Sequence, residues 1–206
     1  MFPILAPDGA ETRRLGIVIA DVTGKGISAA ILMAFVRPVL RAALDRTANP
    51  VQALERTNRI LVEERPTGLM VTVLCGILDL DTGEFRFANG GHEPPLVIRA
   101  GASHPSWVEA SGSIIGAFRT LRLTESSLTL AAGDGLVLYT DGVTDAAAAD
   151  GERFGADRFA ELIRVTCPIG AGPAVETIMA AVGAWEGEVP ADDLALLVIR
   201  RSARGR

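Results

Sequence analysis

The stretch GIVIADVTGKGISAA, residues 16–30, places one aspartate between an apolar run and a glycine-rich turn. The apolar run predicts a buried strand, and the alanine-rich segment from Ile27 onward predicts a helix. Asp21 directly follows the strand, and Gly24 and Gly26 permit a tight turn because glycine adopts positive φ without steric cost. We therefore expect the carboxylate of Asp21 to face a cleft.

The segments around this stretch predict one domain of helices and antiparallel strands. Apolar runs separated by turn residues, such as DLDTG at 79–83, are typical of hairpins, whereas helices show apolar residues at helical spacing. Pro38 should bend the first helix because it lacks a backbone donor. This order favours a layered α+β domain over a doubly wound parallel one. The predicted strands are 15–20, 69–78, 84–88, 94–99, 121–130, 135–139 and 194–200; the predicted helices are 27–45, 50–64, 154–165 and 174–185; and 100–113 is a predicted loop.

Length and composition narrow the class of protein. The chain has 206 residues, 49% of them hydrophobic, which is enough for one full core. A formal net charge of −5, with no basic cluster except the terminal RRSARGR, argues against a nucleic-acid partner. Cys75 and Cys167 lack disulfide-framework or metal-ligand spacing, which fits a reducing compartment. We see no apolar run near the ~18 residues of a membrane span and no signal peptide, and expect a cytoplasmic protein without a membrane segment.

Acidic residues occur three times at the end of an apolar strand. Asp21 follows GIVIA, Asp141 follows GLVLYT, and Asp192 with Asp193 precedes LALLVIR. Each aspartate alone fits a turn residue. If the strands lie side by side, however, their carboxylates repel one another unless a cation lies between them. Oxygen ligands without His or Cys select Mg²⁺ or Mn²⁺, and two such ions can support phosphate hydrolysis.

Several ordered motifs resemble one protein family. ADVTGKGISAAILMA, NGGHEPPLVIR, LYTDGVTDA with the following DGERFG, and ADDLALLVIRR are similar to elements of the bacterial SpoIIE-type branch of the metal-dependent type 2C (PPM) serine/threonine protein phosphatases. The match spans about residues 15–201. The resemblance implies two packed antiparallel β-sheets flanked by helices, an α-β-β-α four-layer sandwich.

The resemblance also implies roles for individual residues. Asp21 would bridge two ions, Mn²⁺ or Mg²⁺, and the backbone carbonyl of Val22 would help to hold one of them. Asp141 and Asp192 would complete the metal shell, with Asp193 in support. The candidate catalytic residues are thus Asp21, Asp141 and Asp192, in an enzyme whose metal-activated water attacks phosphorus without a phosphoenzyme.

Three further positions are candidate substrate contacts. Gly24 and Lys25 precede a helix N-terminus whose positive potential suits an incoming phosphate, although Lys25 also fits a solvent-facing turn. His92 lies in a Gly-Gly loop, where it could act as an acid or base near neutral pH or could brace the loop by hydrogen bonds. A Walker A loop is excluded because Gly26 stands where that motif needs Ser or Thr.

The chain departs from the family pattern at three places. The GGDxYD-like element expected just before MFP, whose first aspartate is an expected metal ligand, is not in the sequence. Ala195 replaces a usual threonine, and Ile114, Ile115 and Gly116 replace Pro-Leu-Gly. We therefore expect residues 1–206 to form a single phosphatase-like domain that is either N-terminally incomplete or a pseudo-phosphatase.

Two functions remain open at this point. The first is a phosphatase acting on phosphoserine or phosphothreonine of a regulatory partner protein, which by resemblance could be an anti-sigma-factor antagonist in sigma factor regulation. The second is a non-catalytic module that binds the same partner. The resemblance also implies an upstream sensor region in the full-length protein, and a homodimer is possible.

Overall fold

The computed structural model of this chain describes residues 1–5, 10–24, 26–64, 69–186 and 193–202. The chain divides into two compact units, the first comprising Met1–His92 and Ala110–Thr129 and the second Glu93–Glu109 and Leu130–Arg206. In chain order, the elements are β1 (Phe2–Leu5), β2 (Glu11–Val22), α1 (Ile27–Thr47), α2 (Pro50–Glu64), β3 (Val71–Asp79), β4 (Glu84–Gly90), β5 (Leu96–Ile98), β6 (Ser106–Trp107), β7 (Glu125–Thr129), β8 (Gly135–Tyr139), α3 (Gly142–Asp145), α4 (Gly155–Thr166), α5 (Ala171–Glu186) and β9 (Leu196–Arg200).

The first unit contains an antiparallel sheet of five strands in the order β1-β2-β3-β4-β7, together with α1 and α2. β2 and β3 pair from Arg14 opposite Asp79 to Val22 opposite Val71. β3 reads VTVLCGILD and is almost entirely buried, as its continuous apolar run predicts. The core that joins both helices to this sheet consists mainly of Leu32, Val36, Leu40, Leu54, Leu61, Val71, Val73 and Cys75. This packing holds the adjacent ends of β2 and β3, where Asp21 lies.

Helix α1 has the length and apolar composition of a membrane span, and it is the single such helix among the described residues. The sequence predicted no segment of this kind. The core helix of a globular unit can meet the same criterion, and α1 buries Leu32, Val36 and Leu40 in the first unit. The helix continues through Pro38, whose ring lies on the exposed side, to Thr47.

The second unit contains an antiparallel sheet of four strands in the order β6-β5-β8-β9, with α3, α4 and α5. β8, which reads GLVLY, is buried along its whole length and pairs with β9 from Gly135 opposite Arg200 to Tyr139 opposite Leu196. Its core joins the sheet to α4 and α5 through Val137, Tyr139, Phe159, Ile163, Ala174, Ile178 and Val182. The end of β8 at Tyr139, two residues before Asp141, therefore lies on a well-packed support.

The predicted α+β class, with antiparallel strands and paired helices, is confirmed. The four predicted helices are present, and α5 begins earlier than predicted, at Ala171. The predicted strand 121–130 is reduced to β7, Glu125–Thr129. Two short edge strands were not predicted: β1 contains Pro3, and β6 has only two residues within the predicted loop 100–113. Proline is tolerated at a sheet edge, and two residues are too few for a periodic pattern.

Candidate active site

Asp21 lies at the end of β2, next to the last residue of the strand, as the sequence predicted. It pairs with Thr72 across the ladder and is half-buried. Thr23 then fastens the strand end: its N–H donates to the Met70 carbonyl at 2.9 Å, and its hydroxyl accepts the Met70 N–H at 3.0 Å. The backbone turns immediately afterwards, at Gly24, whose φ is 94°. The carboxylate of Asp21 is thus carried by a strand end that is paired with β3 and hydrogen-bonded to Met70.

The loop that contains His92 is braced by the buried side chain of Asn89. Asn89 Oδ1 accepts the His92 N–H at 2.7 Å, and Asn89 Nδ2 donates to the carbonyls of His92 at 2.8 Å and Ala110 at 3.1 Å. The ring of His92 is itself buried, with Nδ1 2.9 Å from Thr72 Oγ1. These contacts favour the bracing role for His92, and its role as a substrate contact stays a prediction.

In the second unit, Asp141 follows β8 and Asp193 precedes β9, so the two residues occur at the same end of a paired set of strands. Both side chains are exposed. Next to the last ladder pair, the Thr140 N–H donates to the Ala195 carbonyl at 3.0 Å, which extends the ladder beyond Tyr139. A Cβ on Gly142 would lie 2.5 Å from the Asp193 carbonyl oxygen, so glycine is required for this close approach.

Glu93 is an acidic residue near Asp141 that the sequence analysis did not select. Burial raises the pKa of Glu93, and the negative charges of Asp141 and Asp145 raise it further, against the opposing effect of a 3.3 Å hydrogen bond from the Tyr139 hydroxyl. The negative potential around Asp141 is therefore stronger than that of one carboxylate and would favour a cation. The only sequence indication was the position of Glu93 directly after the Gly-Gly-His loop.

Two predicted site residues, Lys25 and Asp192, lie outside the described residues. Within the described ranges, no three or more His, Cys, Asp or Glu side chains form a group that could hold a metal ion. The donor types nevertheless fit Mg²⁺ or Mn²⁺, because Asp21, Asp141 and Asp193 offer carboxylate oxygens and Val22 a carbonyl. The metal roles of these residues remain predictions.

The arrangement of the elements is that of the type 2C phosphatase fold. The crystal structure of the RsbU and RsbW domains of Rv1364c from Mycobacterium tuberculosis matches 95% of this chain and 54% of that chain, with a TM-score of 0.79 and 28% identity. RsbX in complex with magnesium shares the fold at 15% identity and a TM-score of 0.62, over 92% of this chain and 82% of that chain.

The family within this fold follows from the sequence comparison. The model of the SpoIIE family (Stage II sporulation protein E) matches residues 11–202, and the chain belongs to that family. Phosphoserine phosphatase RsbU of Bacillus subtilis (strain 168) is 28% identical over 135 residues, which cover 66% of this chain and 40% of RsbU. The chain thus aligns with about two fifths of RsbU. The resemblance drawn from the motifs is confirmed.

Proposed function

We propose that this chain is the phosphatase domain of a protein serine/threonine phosphatase that hydrolyses phosphoserine or phosphothreonine on a regulatory partner protein. The observation that carries the proposal is the position of Asp21, next to the last residue of the paired strand β2, and of Asp141, just after the buried, paired strand β8, inside the region that matches the family. The similarity to a phosphoserine phosphatase, RsbU, supports the substrate class.

We assign the binding of two divalent ions, Mn²⁺ or Mg²⁺, to Asp21, the carbonyl of Val22, Asp141 and Asp192, with Asp193 in support. The magnesium complex of the fold relative RsbX supports this choice of metal. When bound, such ions supply an acidified water and neutralise charge on the phosphate. The negative potential around Asp141 and Glu93 would draw the cations in.

The phosphate group of the substrate would be oriented by the turn between β2 and α1. Gly24 lies in this turn, Lys25 is the next residue in the sequence, and α1 begins at Ile27 without a side-chain cap or an acidic residue in its first turn. The N–H groups and the positive end of the helix dipole therefore remain suited to an anion. His92 would act indirectly, by holding its loop against Thr72.

The partner and compartment are proposed from the family resemblance and the thiols. An anti-sigma-factor antagonist is the proposed phosphoprotein substrate, and an upstream sensor region would control the activity. The cytoplasm is the proposed compartment because Cys75 and Cys167 are free and buried, and burial raises the pKa of the Cys75 thiol to about 12. A homodimer stays a prediction.

The second candidate is a pseudo-phosphatase that binds the same partner without catalysis. It is favoured by the finding that, among the described residues, no group of three or more potential ligands could hold a metal ion. Ala195 and the segment Ile114, Ile115, Gly116 are further departures from the family pattern.

Hydrolysis of a phosphoserine peptide in Mn²⁺ distinguishes the two functions. We expect a Mn²⁺-dependent release of phosphate that falls by about a hundredfold or more in Asp21→Asn and in Asp141→Asn, because each loses a metal-binding charge. Asp81→Asn, in an exposed hairpin turn of the first unit, is the matched control and should keep wild-type activity. A wild type as inert as both variants, with partner binding intact, would favour the pseudo-phosphatase.

A further inference from the structure

The hydroxyl of Thr140 connects the two segments that carry Asp141 and Asp193. Thr140 Oγ1 donates to the Asp193 carbonyl at 3.2 Å and accepts the Ala195 N–H at 2.9 Å. The Thr140 N–H also donates to the Ala195 carbonyl at 3.0 Å. With only 2% of its surface exposed, Thr140 makes these bonds where water cannot replace them.

On the other side of Asp141, Gly142 also lies close to the segment that contains Asp193. The Asp193 carbonyl that accepts the Thr140 hydroxyl also faces Gly142, where a Cβ would lie only 2.5 Å away. Asp141 is therefore flanked by Thr140, which hydrogen-bonds to the segment 193–195, and by Gly142, whose lack of a side chain lets that segment approach. Regular pairing of β8 with β9 stops at Tyr139 opposite Leu196, so the hydroxyl and the N–H of Thr140 together hold the two segments beyond the last ladder pair.

We propose that Thr140 is a positioning residue whose buried hydroxyl fixes the main chain of Asp193 against that of Asp141, so that both acidic side chains project from one rigid edge. The proposal rests on the proposed function only in assigning a divalent cation to that edge. Groups that orient metal ligands without touching the metal commonly change its affinity by about 10–100-fold when they are removed.

The test compares Thr140→Val, which keeps the shape and loses the hydroxyl, with Thr140→Ser, which restores it. Thr166→Val is the matched control, since Thr166 is a buried threonine of the same unit whose hydroxyl donates within α4, to the Leu162 carbonyl at 2.6 Å. Two quantities are measured on the full chain: Mn²⁺ affinity by calorimetry, and hydrogen exchange of the Ala195 amide by NMR in the metal-free protein.

We expect Thr140→Val to weaken Mn²⁺ binding by about tenfold or more and to accelerate exchange of the Ala195 amide. Thr140→Ser and Thr166→Val should resemble the wild type in both measurements. Wild-type affinity and wild-type exchange in Thr140→Val would overturn the proposal, and so would an equal loss in Thr166→Val, which would indicate a general loss of stability.

A wild type that binds no Mn²⁺ would contradict the proposed function, and the exchange measurement alone would then decide the role of Thr140. Faster exchange confined to Thr140→Val would support the positioning role in the metal-free protein. Unchanged exchange would overturn it.

Discussion

At the scale of single residues, Asp134 is a buried carboxylate that stabilises the second unit. Its Oδ1 accepts the Ala100 N–H at 2.8 Å, and its Oδ2 accepts the Ala131 N–H at 2.9 Å and a hydrogen bond from Arg99 at 2.7 Å. Burial alone would raise the pKa of Asp134, but these three donors outweigh it and lower the pKa. The ionised form is therefore the one that the folded state prefers.

We expect Asp134→Ala to reduce the free energy of unfolding by about 2–3 kcal/mol at neutral pH, because it leaves buried backbone donors without an acceptor. Because folding lowers the pKa of Asp134, its ionised carboxylate stabilises the folded state fully at pH values above the unfolded-state pKa of about 3.9. This stabilisation is lost as the pH falls through the folded-state pKa. Urea denaturation at pH 7 and near pH 3 measures this difference. The exposed Asp150→Ala is the control, and equal midpoints for both variants would contradict the expectation.

The sequence predicted single residues well where the strand pattern alone decides their place. Asp21 and Asp141 stand where an apolar run ends, and the structure places both at strand ends. Glu93 and Thr140 were missed because their contacts join segments separated by 46 and 53–55 positions in the chain. No local pattern specifies such contacts.

At the scale of elements, the junction after β8 depends on a glycine. Gly142→Ala should destabilise the protein by about 1–3 kcal/mol, because its methyl group would push against the Asp193 main chain rather than a flexible side chain. Gly183→Ala, in the interior of α5 with no atom near the added Cβ, is the control and should be neutral or stabilising. Urea denaturation of both variants checks the prediction, which fails if Gly142→Ala is as stable as the wild type.

The register of β1 against β2 allows a second test at this scale. Phe2 pairs with Gly16 and Pro3 with Leu15, so continuing the register places the fourth residue before Met1 opposite Asp21. In a GGDxYD element joined directly to Met1, that residue is the first aspartate. Directly opposite residues of an antiparallel pair share one face of the sheet, and two carboxylates there would strengthen a cation site.

We therefore expect a chain extended by GGDxYD before Met1 to bind Mn²⁺ at least about tenfold more tightly than the 206-residue chain. The matched control carries GGNxYD, which has the same length and backbone but lacks the added charge. Calorimetry compares the three proteins. Equal affinities for the aspartate and asparagine extensions would show that this position does not contribute a ligand.

Helices and strands with several apolar residues in a regular pattern could be predicted from the sequence, whereas the short strands β1 and β6 at the edges of the two sheets could not. The four long helices and the buried β3 and β8 follow from their apolar patterns, whereas the four-residue α3 was not predicted. β1 and β6 depend on a neighbouring strand rather than on their own sequence, since each pairs along one side only. Edge strands of this kind are recognised only once the sheet is known.

At the scale of the whole molecule, family membership and the element order agree. The SpoIIE model covers residues 11–202, which include strands and helices of both units. Several motifs of the sequence match the family in both order and spacing, and together they were sufficient to identify it. The motifs did not establish a complete set of metal ligands, since the first expected aspartate is not in the sequence and Asp192 lies outside the described residues.

The proposal on which the others depend is that Asp21 and Asp141 each hold divalent ions that hydrolysis requires. Calorimetric titration of Mn²⁺ into the wild type, Asp21→Asn and Asp141→Asn tests it most directly. We expect saturable binding by the wild type and a loss of at least about tenfold in affinity in each variant. Binding that is absent from the wild type, or unchanged in either variant, would contradict it.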